Sequence, residues 1–558
     1  MEYPYFLIDD CCHSISELLN MHYITSFSSI AKKYRSFVFN VKYIHSTIRY
    51  RAYHKFHNLR YLYLSNINDP QYLSHLTNLR RINICANENV KFMLSSLTNL
   101  IEIETLQHFN FEIYSNLTSL QNLRTNTLHN IELYLQLTRL KVGRLCDHVS
   151  KLSLLTKLNN LSCSNIDSIN LSLLSNLKYL EVYNISNLKL INSPLHFAYI
   201  SECDQISIIN CTQLKYLSIF DWTFPLNLTN SFDSCIVNSY NIKRLIIHKF
   251  ICAIDINFDS FVNLENLSLS FIRSNCKVYL TSRLSKLQKL DISACQPEID
   301  SLICNNLKKL DYMIPNGTLN FLLFANLTYL CLHEYAVHVG LSSLNKLQFL
   351  DIYTKQFIDF QYHTNLLSAN ISNFRRTNNI TNINSLIQLT RLKMIESDDI
   401  FVSDSLRELC SLRYLQIEII SDFNLFVNDL DKLNNLTDLI TLCVSNQLIS
   451  MRDKTLDMKL LSGLTSLKRM RVNMRLKNVC MFTNLDNLNV CVPNEQEYFD
   501  EISVLIKLKY LNIVCQNDNI CKLNLKNCTD LIYYKLVDQI GYDKSNDVIL
   551  PDHLIKLY

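Results

Sequence analysis

The nearest thing to a metal-binding motif in this sequence is a pair of histidines five residues apart. They begin and end the segment His333-Glu334-Tyr335-Ala336-Val337-His338. Zinc-binding helices place two histidines four residues apart, on one face, whereas a separation of five residues turns them about 140° apart. The sequence therefore predicts two unrelated surface histidines and no metal site.

Phosphate-binding loops need glycine, and this chain of 558 residues has only five glycines. They stand at positions 143, 317, 340, 463 and 541, never close enough to form a glycine-rich loop. The sequence also contains no nucleophile elbow, no phosphate-binding lysine motif and no kinase signature. We therefore expect a protein that is not an enzyme and has no cofactor.

Aromatic side chains beside cations offer binding chemistry instead. Each pair is followed by leucine, and the pairs are Arg60-Tyr61, Lys178-Tyr179, Lys215-Tyr216, Arg413-Tyr414 and Lys509-Tyr510. Tyrosine and arginine often anchor protein interfaces, and alternating cations and rings also suit single-stranded nucleic acid. The alternative is that the tyrosines belong to a duplicated consensus in which each ring shields the neighbouring strand.

Charge and cysteine content bear on the partner and the compartment. Lys and Arg total 54 and Asp and Glu total 50, a net charge of +4 that indicates neither nucleic acid nor an anionic membrane surface. The N-terminus lacks a signal peptide, and no apolar run approaches the roughly 18 residues that span a bilayer. The 20 cysteines contain no CxxC pair. We expect reduced thiols, no membrane insertion and a cytoplasmic protein, with the nucleus as an alternative.

A repeated phrase organises most of the chain. Leu76-Thr-Asn-Leu79-Arg-Arg-Ile82-Asn-Ile84 recurs as Leu284-Ser-Lys-Leu287-Gln-Lys-Leu290-Asp-Ile292 and many times more. With the second leucine as position 1, about 24 units follow one another over residues 56–558, mostly 18 to 24 residues apart. Three units have an ambiguous phase, with position 1 at Leu137 or Leu140, at Leu389 or Leu392, and at Leu436 or Leu439.

This pattern resembles the leucine-rich repeat family, L-x-x-L-x-L-x-x-N/C-x-L, and is most similar to its phosphatase-regulator and internalin subtypes. The resemblance implies an α/β fold, a right-handed solenoid with a parallel sheet on its concave face. Alternation along a strand directs positions 4 and 6 into the core and positions 3, 5 and 7 to solvent. One unit cannot bury its own leucines, so the units must stack.

The ninth position departs from the family pattern, in which it is normally asparagine. It is Cys295 in one unit but His108, Trp222, Tyr335 and Lys355 in others. We therefore expect an interrupted asparagine ladder and an irregular convex side, with long loops at 222–240 and 445–462.

Positions 3 and 5 carry the candidate binding residues for another protein, the favoured partner class. Position 3 is aromatic in nine units, and position 5 forms an acidic patch over four consecutive units that makes nucleic acid the least favoured partner. A cationic run late in the chain directs two arginines to the same face. The candidate residues are Tyr179, Tyr216, Asp291, Asp311, Tyr329, Phe349, Asp351, Tyr414, Arg469 and Arg471.

Residues 1–55 lack the repeat and read as a helical N-terminal cap over the first open unit. Ile30-Ala-Lys-Lys-Tyr-Arg35 is also similar to the last helix of an F-box, with Tyr34 in place of tryptophan. That resemblance implies a ubiquitin-ligase substrate receptor whose residues 1–50 bind an adaptor. A regulatory subunit that docks on a phosphatase is a further alternative to the plain interaction scaffold.

Overall fold

The repeats fold into parallel strands in a computed structural model of the chain. Contacts divide the chain into a first unit, Met1–Lys286, and a second unit, Leu287–Tyr558. The structure describes residues 43–46, 59–64, 75–84, 96–105, 117–145, 149–221, 236–237, 239–250, 256–271, 277–293, 296–299, 305–313, 318–333, 337–339, 341–353, 358–372, 380–397, 406–419, 430–446, 455–473, 475–492, 496–515, 523–538 and 548–551.

In the first unit, each strand pairs in parallel with the strand of the next repeat. The strands of this ladder are β1 (Tyr43–Ser46), β2 (Tyr61–Leu64), β3 (Arg81–Ile84), β4 (Glu102–Thr105), β5 (Asn122–Leu128), β6 (Arg139–Leu145), β7 (Asn160–Asn170), β8 (Tyr179–Ile191), β9 (Phe197–Ile209), β10 (Tyr216–Phe220), β11 (Arg244–Phe250) and β12 (Asn266–Phe271).

The second unit repeats this architecture. The strands of its ladder are β13 (Lys289–Ser293), β14 (Lys309–Met313), β15 (Tyr329–His333), β16 (Phe349–Tyr353), β17 (Ser368–Ser372), β18 (Arg391–Ser397), β19 (Tyr414–Ile419), β20 (Thr441–Asn446), β21 (Arg469–Val472), β22 (Asn487–Val492), β23 (Tyr510–Cys515) and β24 (Tyr533–Asp538).

Alternation along each strand builds the core. Leu290 and Ile292, at positions 4 and 6 of β13, are fully buried, and so are Leu180 and Val182 at the same positions of β8. Because the pairing is in register, position 4 of one repeat packs on position 4 of the next, and each buried leucine side chain contributes about 1.5–3 kcal/mol of transfer free energy. The predicted leucine-rich-repeat core is confirmed.

The strand register also settles the three ambiguous phases. Arg139 lies opposite Asn122 and is therefore at position 3, so Leu137 is position 1. Likewise, Arg391 lies opposite Ser368 and Thr441 opposite Tyr414, which places position 1 at Leu389 and Leu439.

Where the structure describes the connections between ladder strands, they consist mainly of 3-10 helices and short strands. The α-helix α1 covers Gln496–Ser503, with Phe499 and Ile502 buried. The 3-10 helices are Ile131–Leu133, Val149–Leu154, Ser282–Leu284, Phe321–Leu323, Leu341–Ser343, Ile383–Ser385, Leu406–Glu408, Leu430–Asn435, Met458–Leu461 and Val479–Met481. Short strands outside the ladders are Ile236–Val237, Ile256–Asn257, Lys277–Leu280, Gln296–Ile299, Thr318–Asn320, Val337–Val339, Ile358–Asp359, Ile380–Thr381, Thr455–Asp457, Arg475–Lys477, Leu523–Asn524 and Val548–Ile549.

Strands β7, β8 and β9 are longer than the others because the chain turns a corner and stays paired beyond it. The corner is position 8, where the φ angles are positive at Asn165, Asn184, Glu202, Asp221 and Lys249. Asparagine suits this left-handed conformation better than most residues, and Asn184 Nδ2 donates to Asn165 Oδ1 over 2.7 Å. The turn residue in this region is thus the eighth of the repeat, and the five quoted ninth positions lie outside the described residues.

A second asparagine feature links repeats through the residue immediately before position 1, here named the asparagine column. Its side-chain Nδ2 donates to a backbone carbonyl of the preceding repeat, two residues before that repeat's position 1. The bonds are Asn99 to Thr77, Asn176 to Thr156, Asn241 to Thr212, Asn263 to Tyr240, Asn326 to Asn305, Asn365 to Asn345 and Asn484 to Thr465. Where lysine takes this place, it donates to the side-chain oxygen of the preceding residue in the column, as Lys507 does to Asn484 and Lys157 does to Gln136.

Parallel pairing begins earlier than the sequence boundary at residue 56. Strand β1 lies within the predicted cap and pairs with β2, with Tyr43 opposite Tyr61. Val41-Lys42-Tyr43-Ile44 matches the Leu-Lys-Tyr-Leu consensus except for two aliphatic exchanges. The predicted cap helices and the F-box-like residues 30–35 lie outside the described residues, as do 222–235 and 447–454 of the two long loops.

Candidate functional site

Positions 3, 5 and 7 of the ladder strands point away from the leucine core and form what we call the ladder face. Rings at position 3 expose much of their surface: Tyr179 is 48% exposed, Tyr216 45% and Phe349 43%. A large ring that remains this accessible contributes little to the core and is available to a partner.

Tyr329 and Phe349 form a pair on β15 and β16 of the second unit. They lie opposite each other in the register, with ring centroids 6.2 Å apart and planes tilted by 34°. Lys309 Nζ lies 3.7 Å from the Tyr329 ring centroid, a cation–π contact from the strand before. Burial is the main cause that raises the pKa of the Tyr329 hydroxyl, and the neighbouring Cys331, Asp311 and Asp351 raise it further.

The predicted acidic patch forms one row beside this ring pair. Position 5 holds Asp291, Asp311, Cys331 and Asp351 on four adjacent strands, each directly opposite the next. Burial raises the pKa of Asp311, and the neighbouring Asp291 carboxylate raises it further. Asp351 Oδ1 accepts a 2.8 Å hydrogen bond from Asn370.

Cys331 is a buried thiol that lies outside the leucine core. It stands at position 5 of β15, so its side chain is directed to the ladder face, yet it is only 4% exposed because neighbouring side chains cover it. Its Sγ lies 3.1 Å from His333 Nε2, and Asp311 completes a group of three polar side chains. Burial raises the pKa of this thiol, and the Asp311 and Asp351 carboxylates raise it further.

Sequence reasoning missed this group because it paired His333 with the wrong neighbour. His338 lies in the short strand Val337–Val339, which pairs with Thr318–Asn320 in a separate sheet from β15. The available signal was strand period: Cys331 and His333 are two residues apart, and Asp311 is one repeat before Cys331.

The first unit carries an aromatic stripe that sequence reasoning also missed. Tyr183, Tyr199, Phe220 and His248 follow one another across β8 to β11, with successive centroids 5.3, 5.1 and 5.1 Å apart. Position 7 supplies three of these rings and position 5 supplies Tyr199, so no single column of the repeat reveals them. Tyr179 and Phe197 form a further pair at position 3, with centroids 6.5 Å apart.

A basic region occupies later strands of the second unit. Arg391 lies over the Tyr414 ring, with its Cζ 4.4 Å from the centroid, and the Tyr414 hydroxyl donates to Gln416 over 2.7 Å. Arg469 and Arg471 are exposed on the ladder face, while Met470 and Val472, which alternate with them along the strand, are buried. These arginines lie on β21, several strands away from the acidic row on β13 to β16.

A polar groove of about 800 Å³ lies along the starts of strands in the second unit. Its charged lining mixes both signs, and the residues are Arg413, Asp438, Lys468, Asp486, Lys507, Lys509 and Asp530. The four cations and three carboxylates nearly balance, so charge gives this groove little preference for one sign of ligand.

The candidate residues thus form separate groups and not one site. Tyr179 and Tyr216 lie in the first unit; Asp291, Asp311, Tyr329, Phe349 and Asp351 are contiguous in the second; Tyr414, Arg469 and Arg471 lie further along that ladder.

Cysteines 163, 203, 211, 331, 410, 443, 480 and 528 are free thiols. Among the described residues, no helix has the length and apolar character needed to cross a bilayer.

No protein-family model matches the sequence, and no curated protein matches it. The fold is similar to the plant peptide hormone receptor RGFR1 in complex with RGF2, at 14% identity over 86% of this chain and 90% of that chain, with a TM-score of 0.41. It is also similar to the Arabidopsis receptor kinase HAESA, at 13% identity over 92% and 90% of the chains and a TM-score of 0.40. A leucine-rich-repeat protein of Leptospira interrogans matches at 14% identity over 86% and 92%, with a TM-score of 0.28. The recurring repeat and the in-register ladder that it builds give this chain the fold of a leucine-rich repeat.

Proposed function

We propose that the chain is a non-catalytic scaffold that binds another protein on the ladder face, the face predicted to be concave. The observation that carries the proposal is the Tyr329–Phe349 pair beside the acidic row. Two contacting rings on adjacent rigid strands, one of them 43% exposed, supply an apolar anchor at low entropic cost. The carboxylates next to them add charge selectivity.

The same residues favour a protein partner over nucleic acid. A phosphate backbone would approach Asp291, Asp311 and Asp351 in a row, and each carboxylate would repel it. A protein surface with basic and apolar side chains would complement both the rings and the carboxylates.

The test requires a partner, obtained by affinity purification with the intact chain from cells that express it. Binding is then measured for Tyr329→Ala/Phe349→Ala and for a matched control, Tyr61→Ala/Tyr533→Ala, which removes two position-3 rings elsewhere on the ladders. We expect the first variant to lose at least about tenfold in affinity and the control less than about threefold, because anchors concentrate binding energy. Wild-type affinity in a folded Tyr329→Ala/Phe349→Ala variant would exclude the ladder face around the acidic row as the anchor.

The alternatives of a ubiquitin-ligase substrate receptor and a phosphatase-docking subunit are separated by a deletion. Removing residues 1–42 keeps β1 as the first strand of the ladder. Loss of a ubiquitin-ligase adaptor alone from the purified complex would indicate the receptor, whereas retention of every partner would indicate the plain scaffold. Co-purification of a phosphatase catalytic subunit with both forms would indicate the docking subunit.

A further inference from the structure

Three side chains on β14 and β15 bring together donor atoms of three chemical kinds. Asp311 is directly opposite Cys331 in the strand register, and His333 is two residues beyond Cys331 on the same side of its strand. The thiol sulfur, an imidazole nitrogen and a carboxylate oxygen all lie within 4.8 Å of one another. Cys331 is buried, and Asp311 and His333 are half-buried, so the group opens toward the ladder face.

The donor set and its spacing match one class of ion. Zinc-like ions take thiolate, imidazole and carboxylate together, whereas calcium and magnesium require oxygen donors alone. A tetrahedral zinc ion with Zn–S of about 2.3 Å and Zn–N of about 2.0 Å holds these two donors about 3.5 Å apart. The observed separation of Cys331 Sγ and His333 Nε2 is 3.1 Å, so side-chain adjustments of a few tenths of an ångström admit the ion.

The surroundings favour a cation at this point. Asp291 lies opposite Asp311 on one side and Asp351 lies opposite Cys331 on the other, so carboxylates flank the group along the row. The cation that faces it from β14, Lys309, has its ammonium over the Tyr329 ring at 3.7 Å. Burial raises the pKa of both the Cys331 thiol and the Asp311 carboxyl, and neighbouring carboxylates raise each pKa further, as expected where negative charge accumulates without a cation.

We propose that Asp311, Cys331 and His333 form a binding site for a zinc-class divalent transition-metal ion. The ion bonds to Cys331 Sγ, His333 Nε2 and an Asp311 oxygen, and water occupies the fourth position on the open side. The thiol proton passes to solvent as the metal–sulfur bond forms, so affinity rises with pH. The site does not depend on the proposed protein-binding function, because all of its ligands belong to this chain.

Cobalt(II) tests the site, because a thiolate-to-cobalt charge-transfer band reports the metal–sulfur bond directly. The full-length chain is freed of metal with a chelator, kept reduced with a phosphine and titrated with Co²⁺. Cys443→Ser is the matched control: Cys443 also stands at position 5 of a ladder strand, half-buried, but Ser445 takes the place of the histidine. We expect the band in wild type and Cys443→Ser, its loss in Cys331→Ser, and affinity at least about tenfold weaker in His333→Gln.

Further arms make the outcome decisive. Zn²⁺ should displace the cobalt band, and Ca²⁺ in excess should not. If Cys331→Ser fails to fold, as judged by circular dichroism, the test uses Asp311→Asn and His333→Gln instead. Both change half-buried residues and should weaken metal binding. A wild-type chain without the band at millimolar Co²⁺, or folded Cys331→Ser or His333→Gln protein that binds like wild type, would overturn the proposal.

Discussion

The aromatic stripe of the first unit and the acidic row of the second unit are built by one mechanism with different residues. In both, in-register parallel pairing brings side chains of neighbouring repeats to about one strand spacing of 4.8 Å. Rings at that spacing stack, as Tyr199 and Phe220 do with centroids 5.1 Å apart. Carboxylates at that spacing repel, and Asp291 accordingly helps to raise the pKa of Asp311. In-register pairing of rings therefore stabilises the ladder itself. In-register pairing of carboxylates instead leaves a repulsion that a bound cationic group would relieve.

The largest expected effect on stability comes from removing a core leucine beneath the acidic row or beneath the aromatic stripe. Leu290→Ala and Leu180→Ala each remove a fully buried position-4 leucine and should lower the free energy of unfolding locally by about 2–5 kcal/mol. In the second unit, hydrogen exchange should rise across β13 to β15, which pair over only five residues. In the first unit, β8 should keep protection beyond the corner, because its pairing with β9 continues to Ile191. Uniform loss of protection along the whole chain in either variant would contradict nearest-neighbour packing.

The next effect separates rings that stabilise from rings that are free to bind. Phe220 contacts a ring on each side, at 5.1 Å from both Tyr199 and His248. Phe220→Leu should therefore lower the free energy of unfolding by about 1–3 kcal/mol. Phe349→Leu loses one ring contact at an exposed position and should cost no more than about 1 kcal/mol. Denaturant midpoints compare the two, and equal costs would remove the distinction between the stripe and the ring pair.

A pH effect is expected in the second unit at His363, which occupies the site of the first leucine in the Leu-x-x-Leu lead-in. The side chain is fully buried, its Nε2 is 3.1 Å from the Leu341 carbonyl oxygen, and its Nδ1 has no partner. Burial lowers the pKa of His363 from its usual 6.5. Below that pH the unfolded chain binds a proton that the folded chain does not, so stability is full above pH 6.5 and falls as the pH drops further.

His363→Leu should flatten this acid-side dependence, measured as urea midpoints at pH 5 and pH 7.5. Cys211 occupies the same lead-in site in the first unit and is also fully buried. Burial raises the pKa of Cys211 above its usual 9.0, so Cys211→Leu should leave the acid side unchanged. An unchanged midpoint difference in His363→Leu would show that other groups set the acid sensitivity.

The smallest expected effect concerns Lys309, the cation over the Tyr329–Phe349 ring pair. Lys309→Met removes the ammonium from the Tyr329 ring while keeping an unbranched side chain at position 3 of β14. The free energy of unfolding should fall by about 0.5–1 kcal/mol, detectable as a small shift of the thermal midpoint. A gain in stability would mean that Lys309 serves to balance the acidic row and not to cover the ring.

The repeat period fixed most of what could be predicted. It placed Leu290 in the core and Phe349 on the ladder face because strand alternation depends on residue parity alone. It did not reveal the corner at position 8, because the residue type there changes from repeat to repeat, as between Asn165, Glu202 and Lys249. The group of Asp311, Cys331 and His333 was not predicted, because it combines positions 5 and 7 of two neighbouring strands. Comparing the residues at one repeat position at a time does not bring these three together. Strand β1 escaped because its repeat lacks the leucine lead-in.

The asparagine column bears on how such a chain can change its length. The Nδ2 group of each asparagine, such as those of Asn326 and Asn365, donates to the repeat immediately before it, at the same backbone carbonyl in each case. When recombination within a gene removes or duplicates one whole repeat, an asparagine of this column at the new junction meets the same backbone carbonyl in its new neighbour. Exchanges whose breakpoints fall at equivalent lead-in residues therefore preserve the connection, whereas those that shift the frame by part of a repeat sever it. Adding or removing whole repeats therefore lengthens or shortens the ladder face while the packing between repeats stays the same.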